Sequence, residues 1–188
     1  MRVVSGCARG TGLFRPPDNR TRPTADRVKE DLFNIIAQHI AGASFLDLYA
    51  GTGQIGIEAL SRGADRAVFA EADRDTVRLI ERNITKCRLE GATVMCGDVP
   101  GILQNLGRAG QTFNLVYLDP PYELDELSPV LRALVDHRLL RDGAVVIAEQ
   151  AAKATKIDIS DMQTYKVKEY STTKLTFMRY AEPTSREV

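Results

Sequence analysis

The residues best suited to do chemistry are Asp119-Pro120-Pro121-Tyr122, which directly follow the apolar run Leu115-Val116-Tyr117-Leu118. Proline lacks an N–H and fixes its own φ, so two prolines after a carboxylate make a short, rigid segment rich in acceptors. The Asp119 side chain and the Pro120 carbonyl can both accept hydrogen bonds from one NH₂ group and aim its nitrogen lone pair at an electrophile. An amino group on an aromatic base is a weak nucleophile because that lone pair is conjugated into the ring. Orientation and hydrogen bonds that favour a pyramidal nitrogen lower the barrier. Tyr122 offers a flat face for an extruded base, a contact worth about 1 to 3 kcal/mol in single-stranded recognition. Held this way, the nitrogen lone pair could point at an electrophile such as a methyl sulfonium. Read alone, the same tetrapeptide also suits a stiffened loop with Tyr122 as edge packing.

Upstream lies Asp47-Leu48-Tyr49-Ala50-Gly51-Thr52-Gly53-Gln54-Ile55-Gly56, a glycine turn in which backbone can approach a ligand before a helix begins. The G-x-G-x-x-G pattern alone fits a nicotinamide dinucleotide enzyme, or a bare turn, as well as any other reading. Its surroundings narrow the choice. Glu71, 20 positions after Gly51, ends the next apolar strand, where a carboxylate can accept from both hydroxyls of a ribose. Asp98, in Cys96-Gly97-Asp98, follows a third strand and can accept from an adenine amino group, although an acid there also suits a helix cap. Asp47 stands four positions before Gly51, where it can face an ammonium or sulfonium and would repel a pyrophosphate. Acids at three successive strand ends favour a cationic nucleoside cofactor, S-adenosylmethionine, over a dinucleotide.

These residues need a frame, and the apolar periodicity supplies one. Short unbroken runs predict strands at Ser44–Leu48, Ala67–Ala70, Thr93–Cys96, Leu115–Leu118 and Ala144–Ala148. Helical spacing predicts helices at about Gln54–Ser61, Asp75–Lys86, Ile102–Leu106 and Glu126–Val135. Strands without alternation are buried on both faces, and their interleaving with helices implies an α/β fold with a parallel sheet. Before this body, Val28, Leu32, Ile35 and Ile36 predict a helix from Thr24, with Pro23 before it and Gly42 beyond. The leader, with apolar pieces at Met1–Val4 and Leu13–Phe14 between glycines, predicts a small hairpin arm. After the body, Tyr165–Tyr170 and Leu175–Tyr180 predict an antiparallel hairpin added to the sheet. The resulting division is an arm over 1–23, a catalytic domain over 24–183 and a tail over 184–188.

With 188 residues and 44% hydrophobic content the chain suits one core. Net charge is zero, from 25 basic and 25 acidic residues, so composition alone points to neither nucleic acid nor membrane. The distribution is uneven: residues 1–30 hold seven basic against three acidic, residues 31–152 eleven against seventeen, and residues 153–179 six against three. Three cysteines without paired spacing and two histidines support neither a disulfide framework nor a metal site, and no run is long enough to span a membrane. A cytoplasmic protein is expected.

At this point the sequence resembles the RsmD-type enzymes, which methylate the N2 amino group of a guanine in bacterial 16S ribosomal RNA. The likeness runs over Arg2-Val3-Val4-Ser5-Gly6, over Thr21-Arg22-Pro23-Thr24-Ala25-Asp26-Arg27-Val28-Lys29-Glu30 with Leu32-Phe33-Asn34, over Asp47 to Gly53, over Gly56-Ile57-Glu58-Ala59-Leu60-Ser61-Arg62-Gly63-Ala64, and over Asp119 to Tyr122. It implies a class I methyltransferase, a Rossmann-like seven-stranded sheet with helices on both faces, and an N-terminal arm that engages ribosomal RNA in a 30S or assembling small subunit. Asp47, Gly51 and Gly53 are the cofactor candidates of the glycine turn, and the resemblance implies that Glu71 and Asp98 hold the ribose and adenine, that Asp119, Pro120 and Tyr122 hold the target guanine, and that the helix near Thr24 covers the cofactor. Arg9, Arg15, Arg22 and Arg27 are the candidate RNA contacts, Arg27 and Asn34 are the candidates on that covering helix, and a monomer without metal is expected. Two positions depart from the family pattern. Cys7 to Gly12 is poorer in lysine and arginine, which shifts the expected phosphate grip toward Arg15, Arg20 and Arg22, and Ser171 stands where glycine is expected after Tyr170. An adenine-N6 methyltransferase acting on DNA or another RNA shares the Asp-Pro-Pro-Tyr motif, and a non-enzymatic RNA-binding assembly factor would share the basic ends.

Overall fold

The computed structural model describes residues 1–16, 26–121 and 127–182. Seven strands form one sheet: β1 (Ser44–Leu48), β2 (Arg66–Glu71), β3 (Ala92–Cys96), β4 (Phe113–Leu118), β5 (Leu140–Ala151), β6 (Met162–Glu169) and β7 (Thr173–Tyr180). Their spatial order is β3-β2-β1-β4-β5-β7-β6. The first five are parallel, and β7 runs antiparallel between β5 and β6.

Two layers of helix cover the sheet because the central strands are apolar on both faces. One face sends Phe45, Phe69, Leu115 and Phe177 against α1 (Asp26–Ile35), α2 (Gln54–Ser61) and α3 (Arg74–Cys87). The other sends Leu46, Leu48, Val116 and Val146 against α4 (Val99–Arg108) and α5 (Leu127–Asp136). Each such fully buried side chain contributes about 1.5 to 3 kcal/mol, so the two apolar layers define the fold.

The predicted strands and helices of the body all form, with revised limits. β5 begins at Leu140 rather than Ala144, because Arg141 and Asp142 are exposed and the apolar run marks only the buried portion. A register shift between Phe113 and Leu115 accommodates the added segment. α4 begins at Val99 rather than near Ile102, with Pro100 in the first turn, where no N–H is needed. β3 is half exposed instead of buried on both faces, because it is the sheet edge. The tail hairpin is longer than expected and reaches Met162 and Thr173. α1 ends at Ile35 and is followed by a single 3₁₀ turn over Ala37–His39; the expected start at Thr24 lies outside the described residues.

The leader is a compact two-armed turn with a single bridge, Arg2 to Gly12. Its hydrogen bonds include Val3 N–H to the Thr11 carbonyl at 3.0 Å and Gly10 N–H to the Val3 carbonyl at 2.9 Å. It is also tied down by α2. Glu58 accepts from Val4 N–H at 2.8 Å and Ser5 N–H at 2.9 Å, and the Ser61 hydroxyl donates to the Ser5 carbonyl at 2.6 Å while accepting from Ala8 N–H at 3.0 Å. Lys29, fully buried on α1, donates to the Arg2 carbonyl at 2.6 Å and pairs with Glu58 at 3.6 Å. Gly6 is obligatory in this contact: its φ is +83°, and a Cβ there would lie 1.7 Å from the Ser61 carbonyl oxygen.

Candidate active site

Because β3, β2, β1 and β4 are adjacent and parallel, their carboxyl ends lie side by side. Asp98, Glu71, Asp47 and Asp119, separated along the chain, thereby reach one edge of the sheet. Ligands of open parallel sheets bind at this edge.

The glycine turn is built as close backbone packing requires. Gly51 and Gly53 have φ of 54° and 74°, and Gly53 caps α2 without any side-chain bond. Gly56 faces the sheet: a Cβ there would lie 2.3 Å from the Phe69 ring, so only glycine lets α2 lie this close to β2. Tyr49, which is not glycine, also takes a positive φ of 60°, a conformation that costs about 1 to 3 kcal/mol and is concentrated where a site demands a particular backbone path.

Glu71 braces the turn, accepting from Gly51 N–H at 2.9 Å through Oε2 and from Asp73 N–H at 3.0 Å through Oε1. Each carboxylate oxygen has two acceptor sites, so capacity remains on both for hydroxyls of a ligand. Asp47 is buried, 1% exposed, and its Oδ2 accepts from Gly56 N–H at 2.8 Å. Burial pushes its carboxyl well above the usual carboxylate range; the Gly56 bond opposes this, and the charges of Asp119 and Glu71 push it further. Where the sequence suggested a carboxylate facing a cation, the structure adds a second task, holding the first turn of α2. Asp98 stands at the N-cap position of α4, yet its side chain makes no capping hydrogen bond. The carboxylate is exposed, and Gly101 makes room for it, since a Cβ there would meet Asp98 Oδ1 at 2.7 Å. Asp119 is half-buried, Pro120 is buried and Pro121 is exposed, with Asp119 N–H directed at the Leu48 carbonyl at 3.5 Å.

The candidate RNA contacts divide. Arg9 and Arg15 are exposed on the arm, and Arg27 and Asn34 are exposed on α1. Tyr122, Arg20 and Arg22 lie outside the described residues.

Periodicity missed three features of the site. Gln54, in the first turn of α2, is buried, and its Oε1 has no hydrogen-bond partner in the structure. An unmet buried acceptor costs about 1 to 3 kcal/mol, which a donor on a ligand would offset. Asn83 is fully buried on α3, donates to the Thr52 carbonyl at 3.1 Å, and brackets Phe14 by accepting from its N–H at 2.7 Å and donating to its carbonyl at 3.3 Å. Glu58 and Lys29 form the arm junction. Asn83 and Lys29 are polar residues on apolar helix faces, the one signal that could have flagged them; Glu58 carried none beyond its place in the shared stretch.

Spare acceptors on Glu71, an Asp98 that makes no capping bond, an unpartnered Gln54 oxygen and an acid-rich strand edge suit a ligand that carries positive charge and a nucleoside. The fold and this set of acceptors suit a methyltransferase that uses S-adenosylmethionine. Comparison with known proteins agrees and names the group: the pattern of the family described as Conserved hypothetical protein 95 matches residues 1–179, and the chain belongs to that family. The small-subunit ribosomal RNA methyltransferase D of Escherichia coli K12 is 35% identical over 149 residues, covering 79% of this chain and 74% of that one. Its counterpart in Haemophilus influenzae is 32% identical over 151 residues, covering 79% and 78%. Among solved structures, the Escherichia coli protein yhhF, a candidate methyltransferase, superposes with a TM-score of 0.86 at 27% identity, covering 97% of this chain and 98% of that one. No helix among the described residues is long and apolar enough to cross a membrane, and no cluster of metal-ligating side chains occurs among them.

Proposed function

We propose that this protein methylates the exocyclic N2 amino group of a guanine in 16S ribosomal RNA, as a cytoplasmic monomer acting on the 30S subunit or its assembly intermediates. The observation that carries the reading is the end of β4, where Asp119 and Pro120 follow a buried strand directly beside the carboxyl end of β1. Relatives named for small-subunit ribosomal RNA support the substrate. Guanine N2 rests on the resemblance of the arm and of the Arg22 to Asn34 stretch.

Bound S-adenosylmethionine supplies an activated methyl group. Glu71 holds the ribose hydroxyls with its remaining acceptor sites while its bonds to Gly51 and Asp73 keep it in place. Asp98 accepts from the adenine amino group, and Asp47 contributes negative field behind the glycine turn while anchoring Gly56. Asp119 and the Pro120 carbonyl accept from the target amino group and orient its lone pair, and Tyr122 stacks on the extruded base.

Unmodified 30S particles, free 16S RNA and DNA, each incubated with labelled S-adenosylmethionine, discriminate the readings. Label in a guanine of the RNA, mapped as N2-methylguanine, is the expected result. Transfer confined to adenine, in DNA or in RNA, would overturn it.

A further inference from the structure

Helix α3 carries a basic residue at every fourth position, Arg74, Arg78, Arg82 and Lys86, all exposed. Residues four apart are neighbours along one side of a helix, and their axial spacing is about 6 Å. The helix has two acids, Asp75 and Glu81. The Arg78 to Asp75 pair at 3.0 Å joins two exposed side chains, an arrangement of little strength in water. The ridge is therefore a concentration of positive charge inside the acid-rich part of the chain, where eleven basic residues face seventeen acidic ones.

Both ends of the ridge meet functional ground. Arg74 begins three residues after Glu71, at the catalytic edge. At the other end the Arg82 guanidinium and the Lys86 ammonium lie 4.5 and 4.3 Å from the centroid of the Phe14 ring. That ring is 38% exposed, and the exposed Arg15 follows it. Phe14 is fixed by its two hydrogen bonds to Asn83, which also holds the Thr52 carbonyl in the cofactor turn. Two cations are thus held in place before any ligand arrives, which reduces the ordering cost of binding.

We propose that Arg74, Arg78, Arg82 and Lys86, continued by Arg15 on the arm, form the track that holds the phosphate backbone flanking the target nucleotide. The proposal rests on the reading of ribosomal RNA as substrate. Three of the four ridge residues are arginines, whose planar donors match phosphate oxygens, and contacts of this kind position RNA without reading its bases.

The test replaces all four ridge residues by glutamine in the full-length protein. A control variant removes the same charge elsewhere, at the exposed Arg108, Arg132, Lys153 and Lys156. Binding to an unmodified small-subunit RNA transcript is measured across a salt series. The ridge variant is expected to lose about three units of slope in log K against log salt, at roughly 0.7 to 0.9 per phosphate contact, with Kd raised on the order of 30-fold. Its kcat at saturating RNA and its affinity for S-adenosylmethionine stay at the wild-type level. Arg74→Gln with Arg78→Gln, which leaves the Phe14 contacts intact, loses about half the slope. Unchanged slope and Kd, or an equal loss in the control variant, would overturn the track while leaving the methyltransferase reading intact. Failure of the wild-type protein to methylate small-subunit RNA is the separate result that removes that reading.

Discussion

Glu58 on α2 and Glu71 at the end of β2 show how differently one side-chain type is used in two parts of the molecule. At the arm junction Glu58 is saturated: it accepts from Val4 and Ser5 N–H, from Arg62 Nε at 2.8 Å, and faces the buried Lys29 ammonium. At the catalytic edge Glu71 accepts two backbone N–H groups and keeps acceptor sites in reserve, Asp98 leaves its capping position unbonded, and Gln54 Oε1 is unmet. A buried polar group that is fully paired holds structure, and one left partly paired marks where a ligand completes it. The junction is therefore a clamp, and the edge keeps the acceptors on which the proposed ligand site rests.

The largest effect that would break this division is chemical. Asp119→Ala is expected to lower kcat for methyl transfer on the order of 10²- to 10³-fold, with S-adenosylmethionine binding mostly kept, as calorimetry and single-turnover assays can show. Turnover at the wild-type rate would remove Asp119 from the reacting centre. Next comes the clamp. Glu58→Ala removes the carboxylate that pairs with the buried Lys29 ammonium and leaves two arm N–H groups without an acceptor, a loss of about 3 to 5 kcal/mol. Thermal unfolding should move down by about 10 °C, and limited proteolysis should open the arm first. A shift of only a degree or two would mean that Glu58 is not a clamp.

Gly56→Ala tests the wall between the two regions. Its Cβ would lie 2.3 Å from the Phe69 ring, so α2 must lift from β2, at about 1 to 3 kcal/mol. Weaker cofactor binding is expected along with the lower stability; stability lost without any change in affinity would separate helix packing from the turn. The subtlest case is Asp47. Its carboxyl is raised above the ordinary value of 3.8, chiefly by burial. A raised acid favours folding fully below its unfolded pKa, and that contribution is lost as pH climbs through the folded pKa. Asp47→Asn keeps an acceptor for Gly56 N–H and removes the charge, so it should raise the melting temperature at pH 7 and leave it nearly unchanged below pH 3.8, while weakening cofactor binding. Equal stabilisation at both pH values would refute the charge as the cause.

Much of this site was legible in the chain because its signals are local. The glycine pattern, the acids ending successive apolar runs and the Asp119 to Pro121 segment all follow from residue type and near spacing, and the structure sets each at a strand end or turn. Lys29 and Asn83 were not legible as they stand. Each looks like a surface residue by type, and each is buried because a partner tens of positions away supplies its hydrogen bond, Arg2 for one and Phe14 and Thr52 for the other.

Sequence alone determined the alternation of strand and helix and the identity of the acids, because apolar periodicity and proline or glycine chemistry act over a few residues. Only the tertiary structure decided the order β3-β2-β1-β4-β5-β7-β6, which sets four distant acids along one edge. It also decided which carboxylates are saturated and which retain acceptors. Those outcomes depend on which segments meet across the sheet and which donors they bring, a choice made by burying both faces of the central strands at once.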